Sequence, residues 1–145
     1  MLRSLTVSKA PTDKQLVDQL GKVPLFATVN NRKRKVLARS GKIITWKAGR
    51  TPIEEGEAGV AFFLVLDGSV EVTRNGARLA VLGEGDFVGE MALLNSAPRN
   101  ASVTALTDTT VYALTRPGLK AAITSDPAIG MSLLEAMAER VGTTA

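Results

Sequence analysis

Glycine-containing turns divide the middle of the chain into short segments, and this spacing limits the folds that the chain can adopt. Between residues 41 and 115 a turn signal recurs about every eight to ten residues. The strongest are Asp67-Gly68 and Asn75-Gly76, which are typical of tight hairpins. Connections this short join antiparallel strands, because parallel strands need long crossovers. The region therefore predicts an antiparallel barrel, roll or sandwich rather than βαβ units.

The segments between these turns have the pattern of β-strands. The clearest is SVEVTR, in which apolar and polar residues alternate as they do in a strand with one buried face. The predicted strands are 42–46, 61–66, 69–74, 78–82, 100–106 and 110–115.

Helices are predicted on the N-terminal side of these strands. Thr12 and Gln15 form a capping box for a first helix, which is expected to stop near Gly21. A second helix is expected to begin at Asn30 or Asn31 and to run to residue 40.

Two further helices are predicted after the strands. Pro117 and the pair Asp126-Pro127 each mark a helix start. The last helix carries an apolar stripe, which is expected to cover the roll, a partner or a ligand. The stripe consists of Ile129, Leu133, Met137 and Val141.

The composition limits the chemistry that the chain can perform. It contains no histidine and no cysteine, so the commonest general base and the most nucleophilic side chain are missing. Its carboxylates and lysines form no recognisable catalytic motif, and we expect no enzyme, no catalytic residue, no metal site and no cofactor. The lack of cysteine fits a cytoplasmic protein. No apolar run is long enough to span a bilayer, and the N-terminus lacks the apolar core of a secretory signal.

Charge is distributed unevenly along the chain. The net charge is +4, and residues 30–42 hold six basic side chains and no acid. This stretch is either a solvated helix face or a contact for nucleic acid or an acidic membrane. No aromatic residue is interleaved with the cations to stack on bases, so the solvated face is favoured and nucleic acid is not an expected partner.

One segment, residues 83–103, interrupts the strand pattern and has features of an anion site. Gly89 lets a ligand approach the backbone, and the following short helix offers free N–H groups. Arg99 supplies a planar fork that can hold two phosphate oxygens. Glu90 would repel a phosphate but can accept a hydrogen bond from a hydroxyl, such as that of a ribose. The alternative is a surface turn with a Glu–Arg ion pair.

Within this segment, FVGEMALLNSAPRNASV resembles the phosphate-binding cassette of the cyclic-nucleotide-binding domain family, which includes the sensor domain of catabolite activator protein and the regulatory subunit of cAMP-dependent protein kinase. The shared pattern is Phe-x-Gly-Glu, an apolar residue, Ala-Leu, a short gap, then Pro-Arg, a small residue and Ala. The preceding stretches WKAGRTPIEEGEAGVAFFLVLDGSVEV and LAVLGEGDF, and the later DPAIGMSLLEAMAERV, also resemble the family. The resemblance covers about residues 23–141.

The resemblance implies a mainly β fold with flanking helices. The fold would be an antiparallel, eight-stranded, jelly-roll-like β-roll with N-terminal helices and C-terminal helices of the B and C type. Residues 1–22 would form an N-terminal helical extension and residues 23–145 the cyclic-nucleotide-binding domain, within a single domain overall. The expected core of the roll includes Phe63, Leu64, Leu79 and Val103, of which one or two would touch the base or sugar.

Carried over position by position, the resemblance implies that Glu90 binds the ribose 2′-hydroxyl and that Arg99 binds the cyclic phosphate. The ligand would be cAMP by preference. Asn100 stands where cAMP binders often have Ala or Ser and cGMP binders often have Thr, so cGMP remains open. The other ligand-binding candidates are Gly89, Met91, Ala92, Asn100 and Ala101, with Val88 and Thr144 as further candidates.

The function implied is a stand-alone cyclic-nucleotide sensor that repositions its last helix. The signal would pass to an unknown protein effector or to a second copy, and a homodimer through the last helix is one such arrangement. Two alternatives remain: an interaction module that keeps the fold without a nucleotide, and the sensor half of a truncated transcription regulator.

Overall fold

The computed structural model describes residues 13–95 and 98–142, with side chains for all of these except Met91 and residues 139–142. The predicted capping residue Thr12 and the site candidate Thr144 lie outside these ranges. Within them, short strands form two antiparallel sheets, and helices precede and follow the strands. The fold is therefore mainly β with flanking helices, as predicted.

The larger sheet has four strands in the order β1-β7-β2-β5, and the smaller has three in the order β4-β3-β6. The strands are β1 Lys42–Trp46, β2 Ala61–Asp67, β3 Val70–Arg74, β4 Ala77–Leu82, β5 Phe87–Val88, β6 Ser102–Ala105 and β7 Thr109–Thr115. All ladder pairings are antiparallel. In the β3–β4 turn, Asn75 and Gly76 have φ angles of 52° and 80°. Asparagine and glycine tolerate this left-handed conformation, which explains the tight hairpin that the sequence predicts.

The helices begin where the sequence predicts. The α-helices are α1 Asp13–Leu20, α2 Asn31–Ser40, α3 Arg116–Ser125 and α4 Ala128–Gly142, and short 3-10 helices span Pro24–Phe26 and Glu90–Leu93. The side chain of Asn30 caps α2 by accepting a hydrogen bond from the Lys33 N–H at 3.0 Å. The Thr115 hydroxyl caps α3 in the same way, at 3.1 Å from the Gly118 nitrogen. Each cap satisfies an N–H group that the helix itself leaves unpaired.

The larger sheet separates two apolar cores, because side chains alternate between its faces. The helical core lies between one face and the helices, and there the ring of Phe62 meets that of Phe26 edge to face at 5.5 Å. The roll core lies between the two sheets and contains the buried residues Val65 and Val111. Both cores therefore depend on the central strands β2 and β7.

Tyr112 joins α2 to the larger sheet. It is fully buried in β7, and its hydroxyl donates a hydrogen bond to the carbonyl of Leu37 in α2. Burial raises the pKa of the Tyr112 hydroxyl above its ordinary value, so it stays protonated and remains a donor. On β1, Ile43 lies opposite Tyr112 in the ladder. The bond therefore fixes α2 near the β1 edge of the sheet.

The number of strands differs from the expected eight. The described residues contain seven strands. Ile53 forms only an isolated bridge to Val103 of β6, and Ala58 forms another to Pro98. The segment between β1 and β2 therefore contacts the smaller sheet without forming a continuous strand.

Two of the four residues predicted for the core of the roll pack there, Phe63 and Val103. The prediction for Leu64 is wrong, because successive side chains of a strand point to opposite faces and Leu64 packs in the helical core. The prediction for Leu79 is wrong, because its side chain is 50% exposed. The β3–β4 register shifts at this point, so that Ala80 and Arg78 face β3 and Leu79 is left between them. A bulge of this kind takes the extra residue out of the regular alternation, which the sequence pattern does not reveal.

The described part of the apolar stripe of the last helix packs onto the chain's own helical core, and the side chain of Val141 lies outside the described ones. Ile129 and Leu133 are buried there, and Met137 packs against the same cluster. The opposite face of α4 carries two exposed apolar side chains, Met131 and Leu134. The stripe thus covers the fold, which is one of the three roles that the sequence allows.

Candidate functional site

The predicted cassette lies between β5 and β6. The chain leaves β5 at Gly89, whose φ of +80° is a left-handed conformation that glycine adopts without strain. A 3-10 helix begins at the next residue, Glu90, and the Ala92 N–H donates to the Gly89 carbonyl at 2.9 Å. Ala92 and Leu93 are buried and anchor the cassette. Glu90 is thereby held at the start of the 3-10 helix.

A cavity of about 470 Å³ separates the cassette from the interior of the roll. This volume lies within the usual range for small-molecule sites. The roll contributes apolar residues to its lining: Ile53, Val72, Val88 and Val103. The cassette and the residues after it contribute Gly89, Glu90, Ala92, Asn95, Pro98, Arg99, Asn100 and Ala101. An apolar wall beside one acid and one arginine suits a ligand that combines a ring system with a hydroxyl and an anionic group.

Arg99 is held in place by contacts on its backbone and its side chain. Its N–H donates to the Glu57 carbonyl at 2.7 Å, and its carbonyl accepts from the Gly56 N–H at 2.8 Å. The side-chain Nη2 donates to the Ala61 carbonyl at 2.6 Å. The guanidinium carbon lies 6.0 Å from the centre of the Phe63 ring, which is within cation–π range. These contacts fix the guanidinium beside the cavity before any ligand arrives.

The surroundings of Arg99 favour an anionic partner. Burial lowers the pKa of its guanidinium, although arginine stays charged at neutral pH. Among the described residues, the ion pairs found are Arg39–Asp13 and Arg78–Glu71, and neither involves Arg99. A partly desolvated cation of this kind gains most from a negative group placed next to it.

Two glycines flank the Arg99 side chain. A Cβ atom on Gly89 would lie 2.3 Å from Nη1 of Arg99, which is a severe overlap. A Cβ atom on Gly59 would lie 3.0 Å from Nε of Arg99 and 3.1 Å from the Cβ of Ala92. Gly59 is buried in the loop before β2. A side chain at position 89 would displace the guanidinium, and one at position 59 would require its neighbours to shift by a few tenths of an ångström.

Further hydrogen bonds join the loop before β2 and the β3–β4 hairpin to the end of the cassette. The Arg74 Nε donates to the Asn100 carbonyl at 2.8 Å. The Glu55 N–H donates to the Ser102 hydroxyl at 2.9 Å, and a Glu55 carboxylate oxygen accepts from the Asn75 N–H at 3.0 Å. The segment around Arg99 is thus braced by two neighbouring loops.

A second arginine connects the cassette to the C-terminal helices. Arg116 is the first residue of α3, and its Nη2 donates to the Ala92 carbonyl at 3.1 Å. The neighbouring Leu93 packs into the helical core that also contains Leu119 of α3 and Leu133 of α4. The cassette is therefore joined to α3 by a hydrogen bond and shares an apolar cluster with α3 and α4.

The structure brings most of the predicted site residues around one cavity: Val88, Gly89, Glu90, Ala92, Arg99, Asn100 and Ala101. Met91 lies in the 3-10 helix between them. Sequence reasoning missed Gly59, Ile53 and Val72. They reach the site from other loops and strands, and no local motif marks them. Val72 belongs only to the alternating pattern of β3, which signals burial rather than a ligand.

None of the helices in the described part of the chain is long and apolar enough to cross a membrane. Across residues 13–95 and 98–142, no group of three or more acidic, histidine or cysteine side chains is placed to hold a metal ion.

Comparison with curated proteins gives relatives among kinase regulators. The chain is 41% identical over 103 residues to the cAMP-dependent protein kinase regulatory subunit of Yarrowia lipolytica. The aligned region covers 70% of this chain and 28% of that protein. The chain therefore corresponds to about a quarter of the length of this relative.

Comparison with solved structures gives relatives among bacterial regulators. The N-terminal domain of a transcriptional regulator from Streptomyces coelicolor A3(2) superposes with a TM-score of 0.80 at 32% identity, covering 88% of this chain and 94% of that one. Thermus thermophilus catabolite activator protein superposes with a TM-score of 0.66 at 30% identity, covering 83% of this chain and 59% of that one.

The family model for the cyclic nucleotide-binding domain matches residues 43–126, which is more than half of the chain and contains the whole cassette. This family is a regulatory ligand-binding domain rather than a catalytic one. With the antiparallel roll, the cassette and its cavity in place, the chain belongs to the cyclic nucleotide-binding domain family.

Proposed function

We propose that the chain is a sensor that binds a cyclic nucleotide, cAMP by preference, in the cavity beside the cassette. The observation that carries the proposal is the placement of Arg99 between two glycines, with its charge next to a cavity that Glu90 also lines. Arg99 would hold the cyclic phosphate and Glu90 would accept a hydrogen bond from the ribose 2′-hydroxyl. The apolar wall from Val72, Val88 and Val103 would contact the sugar and base.

The preference for cAMP rests on kinship with proteins named for cAMP. Asn100 is exposed at the cavity, and its amide can pair with phosphate or with a purine edge. The cGMP alternative therefore needs a direct comparison of the two nucleotides.

The signal would leave the site through the C-terminal helices, which would correspond to the B and C helices of the family. Phosphate binding at Arg99 would pull on the cassette, and the Ala92–Arg116 hydrogen bond would pass the change to α3. The stripe on α4 that contains Ile129 and Leu133 would then be hidden or exposed to an effector or a second copy. A ligand can shift this equilibrium only by its difference in affinity for the two arrangements.

The binding unit would comprise residues 23–145, with residues 1–22 as its helical extension. α1 belongs to that extension, and it packs through Leu16, Val17 and Leu20 into the helical core. The extension would therefore support the domain rather than stand apart from it.

Calorimetric titration with cAMP and cGMP tests the proposal, with 5′-AMP as a matched control that lacks the cyclic phosphate. A ligand present at a hundred times its Kd stabilises the native state by about 2.7 kcal/mol, which for a chain of this size raises Tm by about 8 °C. Binding of cAMP more tightly than cGMP, with no response to 5′-AMP, is expected. No response to either cyclic nucleotide at millimolar concentration would favour the nucleotide-independent interaction module instead.

A second candidate is the sensor half of a transcription regulator. It is favoured by the similarity to the N-terminal domain of a transcriptional regulator, 94% of which is covered. Affinity for duplex DNA that falls steeply with salt concentration would support it. Signalling that needs no DNA would support the stand-alone sensor.

A further inference from the structure

The first strand of the larger sheet has a free edge. β1 lies at the end of the order β1-β7-β2-β5 and is hydrogen-bonded along one side to β7. Outside that ladder, no hydrogen bond found among the described residues involves positions 42–46. Ile43 and Ile44, on opposite faces of the strand, are 42% and 37% exposed. A free edge with exposed apolar side chains is a template for one more strand.

Basic residues are concentrated in the part of the sequence that contains this edge. From residue 19 to residue 53 the sequence contains no acid but nine basic residues: Lys22, Arg32, Lys33, Arg34, Lys35, Arg39, Lys42, Lys47 and Arg50. The bond from Tyr112 to Leu37 fixes α2 beside the Ile43 side of β1. At the other end of the strand, Lys47 and Arg50 line a cleft of about 260 Å³ together with Trp46. An acid also lies at this end, since the Asp108 carboxylate accepts a hydrogen bond from the Ala48 N–H at 2.9 Å. Exposed cations nevertheless flank the strand, with Lys42 at its start and Lys47 and Arg50 after its end.

The charge pattern selects among the strands that could pair here. A second copy of the chain would place its own Lys42 and α2 cations near the same cations, and like charges near one another are unfavourable. On the α2 side, Asp13 and Asp18 of α1 line a cleft with Lys35 and Arg39, and Asp13 lies 3.8 Å from Arg39 in a highly exposed pair. Such a pair contributes little, and the five cations of α2 outnumber these two acids.

We propose that the free edge of β1 binds an extended acidic segment of a partner protein by strand addition. Backbone hydrogen bonds to residues 42–46 would supply affinity, as in other complexes of this type. The side chains of Ile43 and Ile44 would pack against alternate residues of the segment. The cations of α2 and of Lys42 and Lys47 would select acidic over basic sequences.

A synthetic peptide tests this proposal with the full chain. The probe is an acetylated, amidated octapeptide of alternating Glu and Val, and the matched controls are the Lys-Val octapeptide and the Glu-Val octapeptide N-methylated at alternate residues. We expect the first peptide to bind and to shift the NMR amide signals of residues 42–46. Both controls should bind at least about tenfold more weakly, because one reverses the charge and the other removes the edge hydrogen bonds.

A pair of charge-reversal variants locates the contact. Lys42→Glu is expected to weaken binding of the Glu-Val peptide by about tenfold. Lys120→Glu, at an exposed position on α3, is the matched control and should leave the affinity unchanged.

Five outcomes would overturn the proposal, the first four of them in the peptide and self-association experiments. These are no binding at millimolar peptide, equal binding of the N-methylated peptide, amide shifts confined to α2, and self-association of the chain that Ile43→Lys abolishes. Tighter binding to phosphatidylserine vesicles than to the peptide, with the same dependence on Lys42, would assign the cations to a membrane and would also overturn it.

Discussion

The two faces of the four-stranded sheet are filled to different degrees. On the helical face, Phe62, Leu64 and Leu114 are fully buried against helices that approach from both ends of the chain. On the other face, the cavity remains between the cassette and the smaller sheet, and Val72 and Val88 at its wall are only partly buried. Tight packing maximises dispersion contacts, whereas a void forfeits them. The helical core therefore supplies stability, and the open side of the roll retains space for a ligand.

The difference also explains why the arginine of the site lies where it does. Arg99 is only partly buried, between the apolar ring of Phe63 and the open cavity. In the helical core it would be fully desolvated with no room for an anion, at a large cost. At the partly filled face its charge has both hydrogen-bond support and space for a negative group.

The largest expected effect is a loss of stability when a buried ring of the helical core is truncated. Phe62→Ala should lower the free energy of unfolding by about 3–5 kcal/mol, because it removes a ring that contacts Phe26 and Phe87. Urea denaturation without nucleotide measures this loss.

The size-matched pair Val29→Ala in the helical core and Val72→Ala at the cavity sharpens the comparison between the two faces of the sheet. Val29 is fully buried, so its truncation should cost more, and equal losses would show that the two faces are packed alike.

The next effect is on binding rather than on stability. Arg99→Ala should weaken cyclic-nucleotide binding more than about thirtyfold, since truncating one partner of a buried charge pair costs about 2–5 kcal/mol. The unfolding free energy should change by less than about 1 kcal/mol. Calorimetry and urea denaturation of the same sample measure both quantities.

Arg78→Ala is the matched control for Arg99→Ala. Arg78 is exposed and pairs with Glu71 at 2.6 Å on the outer side of the smaller sheet. Its removal should leave the Kd unchanged. If the Arg99 variant bound cAMP as tightly as the parent, the phosphate contact would have to lie elsewhere.

The smallest of these effects tests the space around the guanidinium. Gly59→Ala would place a methyl group 3.0 Å from Nε of Arg99 and 3.1 Å from the Cβ of Ala92. We expect the displaced guanidinium to lose about tenfold in nucleotide affinity, which corresponds to about 1.4 kcal/mol. Gly83→Ala is the control, because its nearest neighbouring atom would be 3.8 Å away and its φ is not left-handed. Equal affinities for the two variants would mean that Gly59 does not position Arg99.

Local patterns in the sequence predict the elements well. The strands at 42–46 and 61–66 and the helix starts at Asn31 and Arg116 agree with the structure within about two residues. Turn chemistry and helix caps act over a few residues, so they can be read from neighbouring positions. The prediction for Leu79 is wrong because the bulge that exposes it depends on the pairing of two strands, which neighbouring positions do not reveal.

The candidate site divides in the same way. Gly89, Glu90 and Arg99 belong to one continuous motif, and the structure places them at one cavity. Gly59, Ile53 and Val72 lie 27 to 46 positions before Arg99 in the sequence. Their proximity to it arises only when the loop before β2 and the strand β3 pack beside the cassette.

The sequence by itself determined the antiparallel strands, the flanking helices and the cassette that marks the family, because each depends on residues close together in the chain. Tertiary structure decided which face of the sheet is filled and which keeps a cavity. It also decided that two glycines flank Arg99, that Ile129 and Leu133 of the α4 stripe are buried and that β1 has a free edge. These properties depend on which surfaces meet when the sheets and helices pack, and no single segment contains that information.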